Sequence, residues 1–281
     1  MFIRNIGLIL CLSFFTLSAR AWDATGHRII AKIAYSRLTP KARTKIDALS
    51  EAFLAYGTPL SRFEYLAIEP DILKEEGDRS FASDHFINLP YSLEGTQPTE
   101  KMTDQNVVNA IKLAEKKAVN TQLSMKEQAQ WLSYLVHFVG DAHQPLHCIV
   151  MYSKNFPTGD RGGVLYPIHY YRDKGLHELW DRGVDGFRLP HQHYPLSTEA
   201  VTQVAAAIVK QYPPSYFGSQ LKDMAPHDWA MESYVDAKNF AYQVPMNTHP
   251  TKFYLKTNSQ IARQRVALAG YRLAQVLNRI Y

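Results

Sequence analysis

The sequence predicts an all-α fold: a single, mainly helical domain with long loops. Apolar residues recur at helical spacing in segment after segment, no stretch shows the strict alternation of a half-buried strand, and the irregular stretches are long. Ile29, Ile30, Ile33, Ala34 and Leu38 form a first stripe, and Pro40 follows its stop. Val107, Val108, Ile111, Leu113 and Ala114 form a second. Trp131, Leu132, Leu135, Val136 and Val139 form a third, closed by Gly140-Asp141 and then Pro145. Ser197-Thr198-Glu199 introduces Val201, Val204, Ala205 and Ile208. The last helix is expected from about Gln260 to Ile280. Between Tyr152 and Lys174 the pattern lapses into Gly, Pro, Tyr and charge, which predicts a long loop of the kind that carries function. A second irregular stretch, Leu189 to Leu196, holds Pro190, His191, His193 and Pro195.

Residues 1–21 open with Arg4, run apolar from Ile6 to Leu17 and end in Ala19-Arg20-Ala21, the pattern of a secretory signal peptide. The apolar run is shorter than the ~20 residues a membrane span needs. Leu10, where a small residue would be needed, weighs against a lipoprotein cleaved before Cys11. The expected organisation is a leader over 1–21 and one domain over 22–281, with Trp22 as the mature N-terminus. Removing Arg4 and Arg20 leaves 29 basic against 26 acidic residues, a net charge of +3. That suits an anionic substrate and equally an ordinary soluble surface. Only Cys148 remains, so an internal disulfide is excluded, and a good core or bound metal must hold the domain. At 46% apolar residues the chain is not disordered.

The chemistry concentrates in His137-Phe138-Val139-Gly140-Asp141-Ala142-His143-Gln144-Pro145-Leu146-His147. His137 and Asp141 are four apart and share a helix face. Pro145 then breaks the helix and lets His147 turn back. His177 and Asp181 repeat the four-residue spacing. One such pair alone reads best as an exposed ion pair. Two pairs with a trailing histidine, the first inside an apolar stripe, look like ligands for more than one divalent metal, and imidazole with carboxylate suits zinc. The mature start Trp22-Asp23-Ala24-Thr25-Gly26-His27 offers a free α-amine, its carbonyl and a nearby imidazole as further donors. His143, two residues past Asp141, reads as a supporting residue, and His169, His191, His193, His227 and His249 as surface or loop residues.

These motifs resemble the zinc-dependent single-strand-specific nucleases of the mung bean type, which have secreted relatives in fungi and bacteria. That family starts its mature chain with Trp and has His five residues on, as in Trp22 and His27. Its His-Phe-x-Gly-Asp-x-His-Gln-Pro-Leu-His core is matched by His137 to His147, and its Leu-His-x-x-Trp-Asp by Leu176 to Asp181. The resemblance runs from Trp22 to Asp181; the C-terminal third shares only helical character. It implies the phospholipase C and single-strand nuclease fold, with loops around a cleft holding three zinc ions. Asp71 and His85 look like its early ligands and would join His137 and Asp141 on one zinc. Asp141 would bridge to a second zinc held by Trp22 and His27. His147, His177 and Asp181 would hold the third.

The resemblance also implies paired zinc ions activating water for in-line attack on phosphorus, 5′-phosphate products, and removal of 3′-phosphate from mononucleotides. Single-stranded DNA, RNA and 3′-nucleotides are thus the expected partners of a monomeric chain without a membrane anchor, periplasmic or secreted. Asn88 stands where the family commonly has Asp, Lys74 where it has Arg, and Val164 where Gly-Gly-Asn would end. Lys74 and Asn88 are still expected to contribute to catalysis, Lys74 as a point charge and Asn88 by orienting a base or water. Phe86 is expected to stack a nucleobase, with Tyr166 and Tyr170, beside Tyr171, as a second platform. Two other readings remain open. A zinc phospholipase C also begins with Trp, but places its first His further on and uses Glu in its last helical pair. A non-catalytic zinc-binding protein would carry exposed His-rich tracts, which are absent.

Overall fold

The computed structural model describes residues 22–171, 173–189 and 196–281. The leader over 1–21 and the stretch with His191 and His193 lie outside the described residues. Among those described there are eleven α-helices: α1 (Ala24–Tyr35), α2 (Pro40–Phe53), α3 (Pro59–Leu66), α4 (Glu69–Glu75), α5 (Val107–Ala118), α6 (Met125–Asp141), α7 (Leu176–Asp181), α8 (Thr198–Gln211), α9 (Pro214–Phe217), α10 (Pro226–Asn239) and α11 (Lys252–Ile280). None is long and apolar enough to cross a membrane. The starts are set by local chemistry. Asp23 accepts hydrogen bonds from the Thr25 and Gly26 amides at α1, Ser124 and Glu127 cap α6 reciprocally, and Thr251 caps α11.

The expected helical character holds, with local corrections. α11 begins at Lys252 rather than near Gln260, because Thr251 caps a first turn, Lys252-Phe253-Tyr254-Leu255, that the polar run from Lys256 to Gln260 separates from the apolar stripe. Leu113 is exposed, off the buried face of α5. Strands do occur. β1 (Pro90–Ser92) pairs in parallel with β2 (Val150–Tyr152), and β3 (Pro167–Tyr170) pairs antiparallel with β4 (Asp173–Gly175). Runs of three or four residues are too short to show an alternation. The loop expected over 152–174 is therefore partly a hairpin, and the first ladder aligns the segment after His85 with the segment after His147.

α6 is the central helix. Every residue from 132 to 141 is buried, as in a helix surrounded by other elements. α5 and α2 pack along it, while α1 packs against α11, α8 and α3. A second, smaller core gathers Leu146, Met151, Tyr166, Ile168, Leu179, Trp180 and Tyr254 around the two strand pairs. The α1–α11 contact is close at Gly270, where an added Cβ would lie 2.6 Å from Ile33 Cγ2 and 3.2 Å from the Ile30 carbonyl oxygen. Helix propensity alone favours alanine over glycine by ~1 kcal/mol. Overpacking reverses the sign here: Gly270→Ala is expected to destabilise by about 1–3 kcal/mol, read as a lower urea midpoint at unchanged slope.

Candidate metal centre

Four helices and two 3₁₀ turns bring the site together. α6 presents His137 and Asp141 one turn apart on one face. α1 lies across it and supplies His27, whose ring stacks on His137 at 4.0 Å between centroids. The approach requires a glycine: a Cβ at position 140 would fall 2.8 Å from His27 Nδ1. α4 supplies Asp71 and Lys74, three residues apart on one face, and the 3₁₀ turn Ala82–His85 supplies His85. Past Asp141, the 3₁₀ turn Pro145–Cys148 carries His147 back toward α7, which presents His177 and Asp181.

These side chains form three groups of donors: His27, His137 and Asp141; Asp71, His85 and His137; and His147, His177 and Asp181. Asp141 Oδ2 lies 3.0 Å from His85 Nδ1 and 3.3 Å from His137 Nε2, and its Oδ1 lies 3.3 Å from His27 Nε2. Asp71 Oδ1 sits 3.8 Å from His85 Nδ1, His137 Nε2 and Lys74 Nζ alike. In the third group the Nε2 atoms of His147 and His177 are 3.1 Å apart, and His177 Nε2 is 3.5 Å from Asp181 Oδ1.

The donor set fits zinc on its own chemistry. A tetrahedral ion with bonds of ~2.0–2.1 Å holds its ligand atoms about 3.3 Å apart, close to these separations. The imidazoles are also oriented for it. The Nδ1 atoms of His137, His147 and His177 lie 2.8, 2.6 and 2.6 Å from the carbonyl oxygens of Ala67, His85 and Gly162. Each Nδ1 therefore carries the proton and donates it, and each Nε2 is left as a lone pair aimed into its group. Two lone pairs facing each other at 3.1 Å, as in His147 and His177, need a cation between them. His27 Nδ1 and Nε2, Asp71 Oδ1 and Asp141 Oδ1 are buried without a hydrogen-bond partner among the described residues, although His27 Nε2 is near Asp141. Unpaired polar atoms in such a place are costly.

In the protein without metal, a second proton on His137 stands in for the cation. Burial pushes His85 down to about 4. At His137 burial acts in the same sense, but Asp141 and Asp71 together outweigh it and hold the imidazole up at about 9. Burial also opposes ionisation of Asp141, yet His137, His27 and His85 surround it and keep its carboxyl well below the usual range. Asp181 is the converse. Burial raises it well above the carboxylate range, and the Gln144 amide, donating to Oδ1 at 2.6 Å, offsets only part.

Trp22 is placed between the groups. Its buried indole N–H donates to the Gly140 carbonyl at 3.1 Å, one residue before Asp141, and the next amide, Asp23, donates to the Asp181 carbonyl at 2.9 Å. Beside the third group, Phe86, Asn88, Arg161 and Leu146 join His147 and His177 in lining a cavity of about 390 Å³. The first ladder explains the juxtaposition, since the Ile87 amide donates to the His147 carbonyl at 2.8 Å. Against the two tyrosines the structure supplies a correction. Tyr166 is buried in the second core with its hydroxyl donating to the Val244 carbonyl, so its ring offers no stacking face. Tyr170 is half-buried, bonded to Asp185, in a different recess with His169, Tyr171 and His249. Residue type alone does not separate a core tyrosine from a surface one.

A profile of the S1/P1 nuclease family matches residues 22–281, the entire span from Trp22 to the last residue. The chain belongs to the S1/P1 nuclease family. It is 27% identical to endonuclease 4 of Arabidopsis thaliana, over 97% of this chain and 93% of that protein. Endonuclease 2 of the same plant is 28% identical over 92% and 90%, and endonuclease 3 is 26% identical over 97% and 93%. As an S1/P1 nuclease the chain is a hydrolase of phosphodiester bonds in nucleic acid, in a family that is zinc-dependent in general. The match favours the nuclease over the phospholipase reading and extends the likeness through the C-terminal third, where no motif announced it.

Some residues of this S1/P1 nuclease site carried no ligand pattern. Arg161 on the cavity wall went unmarked, and Gln144 was visible only as part of the motif around it. The carbonyls of Ala67, His85 and Gly162 leave no trace in residue type at all. Because Gly140 makes room for His27, Gly140→Ala is expected to keep its helical circular dichroism but bind zinc on the order of 10-fold more weakly, measured by chelator competition.

Proposed function

We propose that this S1/P1 nuclease is a three-zinc endonuclease of single-stranded DNA and RNA, yielding 5′-phosphate products, with 3′-nucleotidase activity. It is exported, loses residues 1–21, and works in the periplasm or outside the cell with 22–281 as its catalytic domain. The observation that carries the reading is the convergence of imidazole nitrogens and carboxylate oxygens into three groups, beside a cavity open to a substrate.

Bound zinc supplies Lewis acidity at the phosphoryl oxygens and lowers the pKa of water toward ~7. The chain's own residues do the rest. His27, Asp71, His85, His137, Asp141, His147, His177 and Asp181 would hold the ions, with the Trp22 amine and carbonyl completing one set. Lys74, 3.8 Å from Asp71 Oδ1, places a positive charge at the edge of the cluster where phosphate charge develops. Phe86, partly exposed on the cavity wall, stacks a base turned out of the strand, and Asn88 hydrogen-bonds its edge. Preference for single strands follows, because a stacked duplex resists turning a base out.

Correctly processed protein is expected to convert single-stranded DNA to acid-soluble product much faster than duplex. A chelator should abolish the activity and zinc restore it; zinc-loaded protein that cleaves neither strand type would refute the reading. The start of the chain gives a sharper check. One extra residue before Trp22 turns its amine into an amide, so activity should drop at least 100-fold and zinc per chain should decrease by elemental analysis. Full activity and metal content in that variant would remove Trp22 from the ligands.

A further inference from the structure

We propose that Ser233, Arg265 and Arg272, with Glu232 between the two arginines, are positioning residues for the candidate metal centre. They clamp the turn at 142–144, on which the spacing between the Asp141 groups and the His147–Asp181 group depends. The proposal rests on the metal reading above and assigns the C-terminal helices a part in it.

The turn is a hinge between two sets of ligands. It follows Asp141, the last residue of α6, and leads into the 3₁₀ turn that carries His147. Gln144, inside it, donates to Asp181 at 2.6 Å and accepts from the Leu146 amide at 2.6 Å. Carbonyls at a helix end lack partners within the helix, and these are shut off from water. α10 and α11 answer them. Ser233 Oγ donates to the Ala142 carbonyl at 2.7 Å, and Arg265 Nε donates to the His143 carbonyl at 3.3 Å. Arg265 also donates to Ser233 Oγ at 2.7 Å, to the Trp229 carbonyl at 3.2 Å and to Glu232 at 2.9 Å.

Arg272 completes the clamp. It donates to His143 Nε2 at 3.0 Å, to both Glu232 oxygens at 2.7 and 2.8 Å, and to the Gln220 carbonyl at 2.7 Å. His143 in turn donates from Nδ1 to the Val139 carbonyl at 2.8 Å. An unbroken set of hydrogen bonds thus runs from the end of α6 to α11, with His143, Ser233, Arg265 and Arg272 all buried. Stability alone does not account for it, because buried ion pairs are often matched by apolar residues of similar volume. Apolar residues cannot satisfy the turn's two carbonyls or fix its direction.

The test compares zinc affinity, by competition with a chromophoric chelator, and the visible spectrum of cobalt-substituted protein. Wild type, Ser233→Ala, Arg265→Lys and Val276→Ala are measured well below their melting temperatures. Arg265→Lys keeps the charge but loses the fork that reaches four partners. Val276→Ala opens a cavity in α11 one turn beyond Arg272 while removing none of the clamp's hydrogen bonds, and serves as the control for lost stability. Ser233→Ala and Arg265→Lys are each expected to bind zinc at least 10-fold more weakly with an altered cobalt spectrum, while Val276→Ala melts earlier with wild-type affinity. Wild-type affinity and spectrum in both clamp variants would overturn the proposal. If Arg265→Lys does not fold, Ser233→Ala decides alone by the same criterion. A wild-type protein that takes up no zinc would overturn the metal reading, and the clamp with it.

Discussion

Acceptor atoms crowded into a dry space repel one another, and the fold is arranged around that repulsion. Five carboxylate and imidazole side chains meet near the end of α6, with neighbouring donor atoms 3.0–3.8 Å apart, and three more meet beyond the turn. Nothing in an apolar core would select such an arrangement. Ser or Asn would have quieted each acceptor, yet four of the atoms involved have no hydrogen-bond partner among the described residues. The central helix, the packing of α1 across it and the backward turn after Asp141 are what force these side chains together. The conflict is relieved when positive charge of the right size occupies the gaps, so binding energy and folding energy are coupled at this place.

The surrounding backbone does as much as the ligands. Three carbonyls, from Ala67, His85 and Gly162, each hold one imidazole proton and thereby choose the tautomer. The Gly162 carbonyl is itself steadied by buried Asp160, which accepts from the Gly162 and Gly163 amides, the Met151 amide and the Tyr242 hydroxyl. Tyr242 comes from the region between α10 and α11, so the polar support of His177, like that of the 142–144 turn, reaches into the last third of the chain.

The legible part of the molecule was whatever repeats or has a fixed offset. Amphipathic stripes exposed α1, α5, α6, α8 and the body of α11, and the four-residue spacing put His137 with Asp141 and His177 with Asp181 correctly on shared faces. Helices with mixed surfaces were harder. α10 alternates buried Trp229, Ala230, Ser233 and Ala237 with charged residues and shows no clear stripe, although its Ser233 touches the site's own turn. The short strands were invisible because three residues carry no period. The placement of Phe86 and Asn88 beside His147 depends on a parallel ladder between segments about 60 residues apart, and such pairing has no local signature. Tyr166 shows the opposite limit: an aromatic in a glycine-rich stretch looks exposed, yet the hairpin folds it into a core with Phe156 and Tyr242.

The packing of the first helix on the last also sets an order of events. α1 carries His27, and its inner face is completed by α11, which begins at Lys252. In a chain emerging residue by residue, α1 can meet α3, α6 and α8 first, but its inner face stays incomplete until α11 has been made, and such long-range pairing is slow to form. The packing behind His27 is therefore completed last. A chain that stops short of α11 lacks the surface that closes over α1, and with it the last support of His27.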